Sequence, residues 1–182
     1  LFPRILPETM ATLIQIIKKG EYAPLTCGMG RLFDAVAAIT GLCLLAGYES
    51  EGPLLLESAA TAGASDCYAF DIDFSAGLID PSPVLRRIIR DVESNTPTAL
   101  VSARFHNAVA NMAVDVCKRI WEETGSNDVV LSGGTFQNQF LLHKLIPDLE
   151  KEGLRVFSHK LLPPNDECIS LGQAVVANER FS

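Results

Sequence analysis

Hydrophobic and polar positions divide the chain into helical periods at the front and a mixture of helix-like and strand-like runs behind. Met10, Leu13, Ile14 and Ile17 recur at helical spacing and stop at Lys18, Lys19 and Gly20. Cations and then glycine suit a helix C-terminus, so a first helix is predicted within residues 1–20. Leu32, Val36 and Ile39 share one face of a second helix that opens on Gly28 and Gly30 and closes at Gly41, with Arg31 and Asp34 elsewhere on its surface. A third helix is expected to start at Pro53, a favoured first-turn residue, and to run through Leu54, Leu55 and Leu56 to Gly63.

From Tyr68 the period changes to two. Tyr68, Phe70, Ile72 and Phe74 alternate with other residues, Ser75 to Gly77 form a turn, and Leu78 to Asp80 return, which predicts a hairpin with one buried face. Ser82 and Pro83 are read as the cap of a helix whose apolar face is Val84, Leu85, Ile88, Ile89 and Val92. Thr98 to Thr124 is the longest element; its stripe of Val101, Phe105, Ala108, Met112, Val116 and Ile120 makes it the expected central packing helix, stopped by Gly125.

A strand over 128–132 then runs into Ser132, Gly133 and Gly134, and an amphipathic helix follows from Phe136 through Phe140, Leu141 and Leu145. Pro147 falls inside that pattern. An interior proline costs about 3 kcal/mol, so a break or a new helical turn is expected there. Leu154 to Phe157 reads as a strand, Pro163 and Pro164 stiffen a loop, and Asn165 is an N-cap for a last helix through Ile169, Leu171, Ala174 and Val175. The order of elements is α/β with a helical addition in front.

Composition narrows the function classes. With 182 residues, 48% hydrophobic and 20% charged, the chain has material for one good core or two small ones. Charged residues interrupt every apolar run short of the roughly 20 residues that cross a bilayer, so no membrane span is expected. Net charge is −7, with no cationic cluster beyond Lys18-Lys19 and Arg86-Arg87, which leaves no footprint for nucleic acid. Five scattered cysteines without a C-x-x-C argue against a disulfide framework and point to the cytoplasm. The opening LFPRILPETM has neither an initiator Met nor a leader pattern, so a piece of a longer protein is expected, with an exposed apolar face prone to self-association.

Candidate chemistry sits mainly on loops. Gly133 and Gly134 at a strand-to-helix turn would let a phosphate approach the backbone amides, although such a turn also serves simply to reverse the chain. Asp166, stiffened by the two prolines before it, reads either as a metal ligand or as an ordinary helix-start carboxylate. Asp34, Glu49, Glu51 and Glu57 cluster near glycines, where a carboxylate could accept from a ribose diol or simply face solvent. His106 is read as a satisfied structural residue and His143 and His159 as surface positions; no histidine pair has metal-site spacing.

Five segments in order, GMGRLFDAVAAITGL (28–42), YESEGPLLLESAA (48–60), ARFHNAVA (103–110), VVLSGGTFQNQFLL (129–142) and PPNDECISLGQAVVA (163–177), resemble the C-terminal part of the HypF family of hydrogenase-maturation carbamoyltransferases. That region is similar to the transferases that place threonylcarbamoyl on tRNA adenosine. The resemblance implies an actin-like ATPase fold (sugar kinase/Hsp70-type, RNase H-like), with residues 1–66 as a helical insertion carrying ribose-side residues and 67–182 as the second lobe with the phosphate loop. It implies ATP or carbamoyl-adenylate as ligand, with carbamoyl phosphate as the carbamoyl source. It implies a divalent metal as well, Zn or Fe at the site and Mg with the nucleotide.

By position, Gly133, Gly134 and Asn138 would line the phosphate and nucleoside side, Asp34, Gly52 and Glu49 the ribose side, and Asp166 would be a metal ligand whose histidine co-ligands lie outside this chain. The implied partners are a HypE-type protein with a C-terminal cysteine and the rest of the same chain, namely acylphosphatase, zinc-finger and YrdC-like domains. Glu167 and Cys168 stand where the family usually has small glycines, and they are what a non-catalytic nucleotide-binding or docking module would show. A tRNA threonylcarbamoyl transferase is the enzyme alternative; the scarcity of basic patches and the GRLFDA and FHN forms favour HypF.

Overall fold

In the computed structural model, which describes residues 6–20 and 22–181, the long helix α5 (Thr98–Thr124) is the axis of the core. Val101, Phe105, Ala108 and Met112 are buried along it, Val116 is half-buried, and Ile120 emerges into solvent at the end of the stripe. Gly125 ends the helix in the left-handed conformation and returns its amide to the Trp121 carbonyl.

Three front helices, α1 (Pro7–Lys19), α2 (Met29–Ile39) and α3 (Glu51–Ala59), appear as the pattern predicts, with differences at their ends and faces. The third starts at Glu51 rather than Pro53 and stops at Ala59 rather than Gly63. Its first turn closes when the Leu54 amide bonds the Ser50 carbonyl. Phe33, Val36 and Ala37 of α2 and Leu56 of α3 join the core. The apolar side of α1 stays uncovered: Leu13, Ile14 and Ile17 are all exposed.

The hairpin forms between β1 (Asp71–Asp73) and β2 (Leu78–Asp80), antiparallel, with Ile72 opposite Ile79. Its buried face is only partial. Tyr68 is buried and Phe70 and Ile72 are half-buried, whereas Phe74, Leu78 and Ile79 face solvent. The helix α4 (Ser82–Glu93) is capped differently from expectation: Ser82 lies inside its first turn, and the Asp80 carboxylate accepts from the Ser82 amide at 2.8 Å. The N-cap position itself is Pro81, which makes no side-chain capping bond, so Asp80 holds the start of α4 from one residue outside it.

Strand β3 (Asp128–Leu131) and strand β4 (Arg155–Ser158) pair in parallel, joined through α6 (Gln139–Lys151). Val129 and Val156, directly paired, pack on the core, while their neighbours Val130 and Phe157, also paired, are 71% and 49% exposed on the opposite face. Parallel strands ordinarily have both faces covered.

Pro147 does not break α6; the helix continues to Lys151. Leu145 and Leu149, one turn apart and 1% and 0% exposed, anchor it on both sides of the proline. Each fully buried leucine contributes roughly 1.5–3 kcal/mol, enough together to offset the missing hydrogen bond.

One apolar core runs across residue 66, containing Phe33, Val36 and Leu56 together with Phe105, Leu141 and Leu145. The last helix, α7 (Ile169–Phe181), has no buried residue and leaves Leu171, Val175 and Val176 exposed. No helix among the described residues is long and apolar enough to cross a membrane.

Candidate functional site

The candidate site is built where α2, α3 and the turn after β3 meet. Leu131 is buried at the end of β3, and the chain then passes through Gly133, whose φ of +105° is a conformation that side-chain-bearing residues rarely adopt. A 3-10 turn over Gly134–Gln137 follows, and the Phe136 amide closes it on the Gly133 carbonyl. The amides of Gly134 and Thr135 precede that first closing bond and so are not used by the turn itself. A Cβ built on Gly134 would meet no atom within 4 Å.

The amide of Gly133 is engaged by the protein. It donates to the Pro164 carbonyl at 2.7 Å, tying the glycine turn to the proline loop that carries Asp166. Thus only part of the expected row of free amides remains, centred on Gly134. The true start of α6 lies three residues beyond the expected Phe136, at Gln139, and its first amides are also taken. Glu57 Oε1 accepts from Gln139 N at 2.7 Å and from Phe140 N at 3.3 Å, and Asn138 Oδ1 accepts from Leu141 N at 2.8 Å.

Asn138 therefore has a different place from the ligand-lining one the resemblance implies. It is 8% exposed, and both ends of its carboxamide are occupied by protein: Oδ1 by Leu141 and Nδ2 by His106 Nε2 at 2.9 Å. Its position shapes the turn from behind. His106 is 1% exposed and lies edge-on to Phe33, Phe105 and Phe140; burial pushes its imidazole pKa down.

Asp34 and Gly52 are brought into contact. A Cβ on Gly52 would lie 3.2 Å from Asp34 Oδ1 and 3.2 Å from Ala37 Cβ, so glycine permits α3 to lie directly on α2 at the carboxylate. Asp34 Oδ2 pairs with Arg31 Nη2 at 2.9 Å one helical turn away. The helix bearing Asp34 also packs on the 3-10 turn that begins at Gly134. Glu49 is exposed in the turn before α3, away from these contacts. Glu51 folds back to accept from the Gly47 amide.

Asp166 is exposed in a short 3-10 turn over Asp166–Cys168 that leads into α7. Asn165 caps that turn, accepting from the Glu167 amide, as its position before the helical pattern predicted. Among the described residues no three His, Cys, Asp or Glu side chains gather as a metal site. A zinc site takes three or four protein ligands, so Asp166 by itself does not fit such a metal. His143 and His159 are exposed, as predicted, and line an open cavity of about 640 Å³ with Phe136, Pro147 and Pro164.

The contacts of Glu57 with α6 and of His106 with Asn138 escaped sequence reasoning. They join residues 82 and 32 positions apart. The only sequence signal for either was that the FHN and FQN stretches both lie among the segments shared with one family.

The family model described as "Carbamoyltransferase, Kae1-like Domain, second subdomain" matches residues 3–173. The chain is 35% identical to the carbamoyltransferase HypF of Rhodobacter capsulatus over 97% of its own length and 22% of that protein, and 32% identical to that of Synechocystis sp. over 88% of its length and 20% of that protein. It thus spans about one fifth of the curated relatives it matches. A solved structure of full-length HypF in the phosphate- and nucleotide-bound form superposes with a TM-score of 0.90 at 37% identity, covering 97% of this chain and 28% of that one. HypF of T. kodakarensis, at 24% identity and a TM-score of 0.70, covers 96% of this chain and 24% of its own and shares the fold. The chain belongs to the HypF carbamoyltransferase family, its residues 3–173 corresponding to the second subdomain of the family's Kae1-like domain.

Proposed function

We propose that this chain is the nucleotide-binding lobe of a HypF-type carbamoyltransferase with an actin-like ATPase fold. The longer protein uses carbamoyl phosphate and ATP, forms a carbamoyl-adenylate, and transfers the carbamoyl group to the C-terminal cysteine thiol of a HypE-type protein. That group is destined to become a cyanide ligand of nickel-iron hydrogenase. The observation that carries the reading is the convergence on one helix, α2, of the Asp34–Gly52 contact and the glycine turn. A carboxylate beside a close-approach glycine suits a ribose diol, and bare amides at a glycine turn suit a phosphate.

In this reading Asp34 accepts from the ribose hydroxyls, and the amides around Gly134 receive phosphate oxygens. Gly133 supplies the left-handed backbone that aims them. Asn138 acts from behind the turn rather than at the ligand. Asp166 contributes a single carboxylate to a site completed by other parts of the longer chain. The exposed pair Val130 and Phe157 and the bare faces of α1 and α7 are where those other parts would pack. The cytoplasm is the proposed location.

Calorimetric titration of the full-length protein with ATP and magnesium tests the reading, beside a Gly134→Val variant. Gly134 has ordinary backbone angles and open space around its missing Cβ, so the fold itself tolerates valine there. Loss of ATP binding in a folded Gly134→Val protein supports the phosphate assignment. Equal ATP affinity in parent and variant removes it.

A further inference from the structure

Behind the glycine turn lies a buried polar relay from α3 through α5 to the start of α6. Ser102 donates its hydroxyl to the Leu56 carbonyl at 2.5 Å, and His106 Nδ1 lies 2.8 Å from the Ser102 carbonyl. On the other side of the ring, Nε2 lies 2.9 Å from Asn138 Nδ2. A carbonyl only accepts and an amide nitrogen only donates, so both contacts are satisfied by one tautomer: Nδ1 carries the proton and Nε2 accepts.

That tautomer determines which way Asn138 points. The two ends of a carboxamide have nearly the same shape, so packing alone does not distinguish them. With Nε2 accepting, the NH2 end faces the imidazole and the oxygen faces Leu141 N, where it caps α6. The reversed amide would set donor against donor at Leu141 and acceptor against acceptor at His106. An unsatisfied buried polar group costs about 1–3 kcal/mol, and reversal would leave two such mismatches.

We propose that His106 is a positioning residue for the candidate nucleotide site: its acceptor nitrogen fixes the Asn138 carboxamide as the cap of α6 and thereby sets the glycine turn. This rests on the nucleotide reading above and adds the group that holds the site's shape. The ring is walled by Phe33 of α2, Phe105 of α5 and Phe140 of α6. Glu57 of α3 is the charged side chain acting on it among the described residues. Protonation of Nε2 would replace the acceptor with a donor facing Asn138 Nδ2, so acid breaks the relay.

The test uses the full-length protein with His106→Phe, which keeps an aromatic ring among the three phenylalanines but has no acceptor, and His106→Gln, whose side-chain oxygen accepts in its place. Two quantities are read: ATP–magnesium affinity against pH, and amide exchange in the segment 139–146. In His106→Phe we expect about tenfold weaker ATP binding, about tenfold faster exchange at Leu141, and loss of the fall in affinity that the parent shows on acidification to below the ordinary imidazole pKa of about 6.5, where the buried ring takes up its proton. His106→Gln should recover most of the affinity and protection. Unchanged exchange at Leu141 in His106→Phe overturns the proposal, and so do equal losses in both variants, which would indicate a packing role only. A parent protein that binds no ATP overturns the nucleotide reading instead, and exchange at Leu141 still decides whether His106 sets Asn138.

Discussion

Glu57 on α3 holds the first amides of α6: its Oε1 accepts from Gln139 N at 2.7 Å and from Phe140 N at 3.3 Å, across 82 residues of sequence. A carboxylate at a helix N-terminus satisfies amides that have no partner within the helix and interacts favourably with the helix dipole. Here that carboxylate comes from another helix, so it also fastens the front of the fold to the glycine turn. Glu57→Gln should cost about 1 kcal/mol, because the oxygen is kept and the charge lost, and Glu57→Ala about 1.5–3 kcal/mol. Denaturant titration of both variants checks the order; equal costs would mean that a neutral oxygen contributes nothing and the charge carries the whole effect, and a cost-free Glu57→Gln would mean that the charge contributes nothing.

Gly52 lies where α3 touches α2, with Asp34 Oδ1 and Ala37 Cβ each 3.2 Å from any added Cβ. Ala37 Cβ is fixed to the backbone of α2, so Gly52→Ala must open that contact by a few tenths of an ångström and push the Asp34 carboxylate aside. A destabilisation of about 1–3 kcal/mol is expected from this overpacking. Because Asp34 moves with it, ATP affinity should fall as well. Calorimetry and denaturant titration on the same variant separate the two effects.

Pro147 remains inside α6 at the cost of one helix hydrogen bond. It is exposed, and its replacement removes little packing. Pro147→Ala restores an amide donor to the His143 carbonyl and is expected to raise stability by about 1–3 kcal/mol. A higher denaturation midpoint with an unchanged slope would be the sign of that gain. An unchanged or lowered midpoint would show that the proline is required by its neighbours in the cavity it lines with His143 and His159.

Acid should weaken the fold through His106. Burial holds its pKa below the ordinary imidazole value, so the unfolded chain takes up a proton first as pH falls. The stability linked to this group is fully present above pH about 6.5 and is lost progressively as pH drops from there toward the folded value. Asp66, whose pKa is lowered first by the hydrogen bond from Arg104, adds its own loss at still lower pH, below the ordinary carboxylate range. Stability measured against pH in parent and His106→Phe should differ in slope only in the upper of these two windows.

Much of the architecture was legible in the order of residues. The stripe from Val101 to Met112 made Thr98–Thr124 the packing axis, and the shift from a period near four to a period of two located the hairpin. Glycine after the last periodic residue ended α1, α2 and α5 where expected. These are local preferences, set by backbone sterics and by which face of an element is apolar, and they act over a few residues. That Asp34 and Gly52 share one side of the site was an implication of the family resemblance; their direct contact was not legible in the sequence, because 18 residues separate them.

Tertiary structure decided the rest. Pro147 stays helical because Leu145 and Leu149 are buried on either side of it, and burial is a property of the assembled core. Asn138 becomes a cap with both ends occupied, and the amides of Gly133 and Gln139 are taken by Pro164 and Glu57, because partners distant in sequence arrive at hydrogen-bond distance only after folding. The sequence alone determined which backbone turns and helix faces were available. Three-dimensional packing decided that the amides of Gly133 and Gln139 are engaged by the protein itself, since a buried donor must find a partner and the fold supplied one to each.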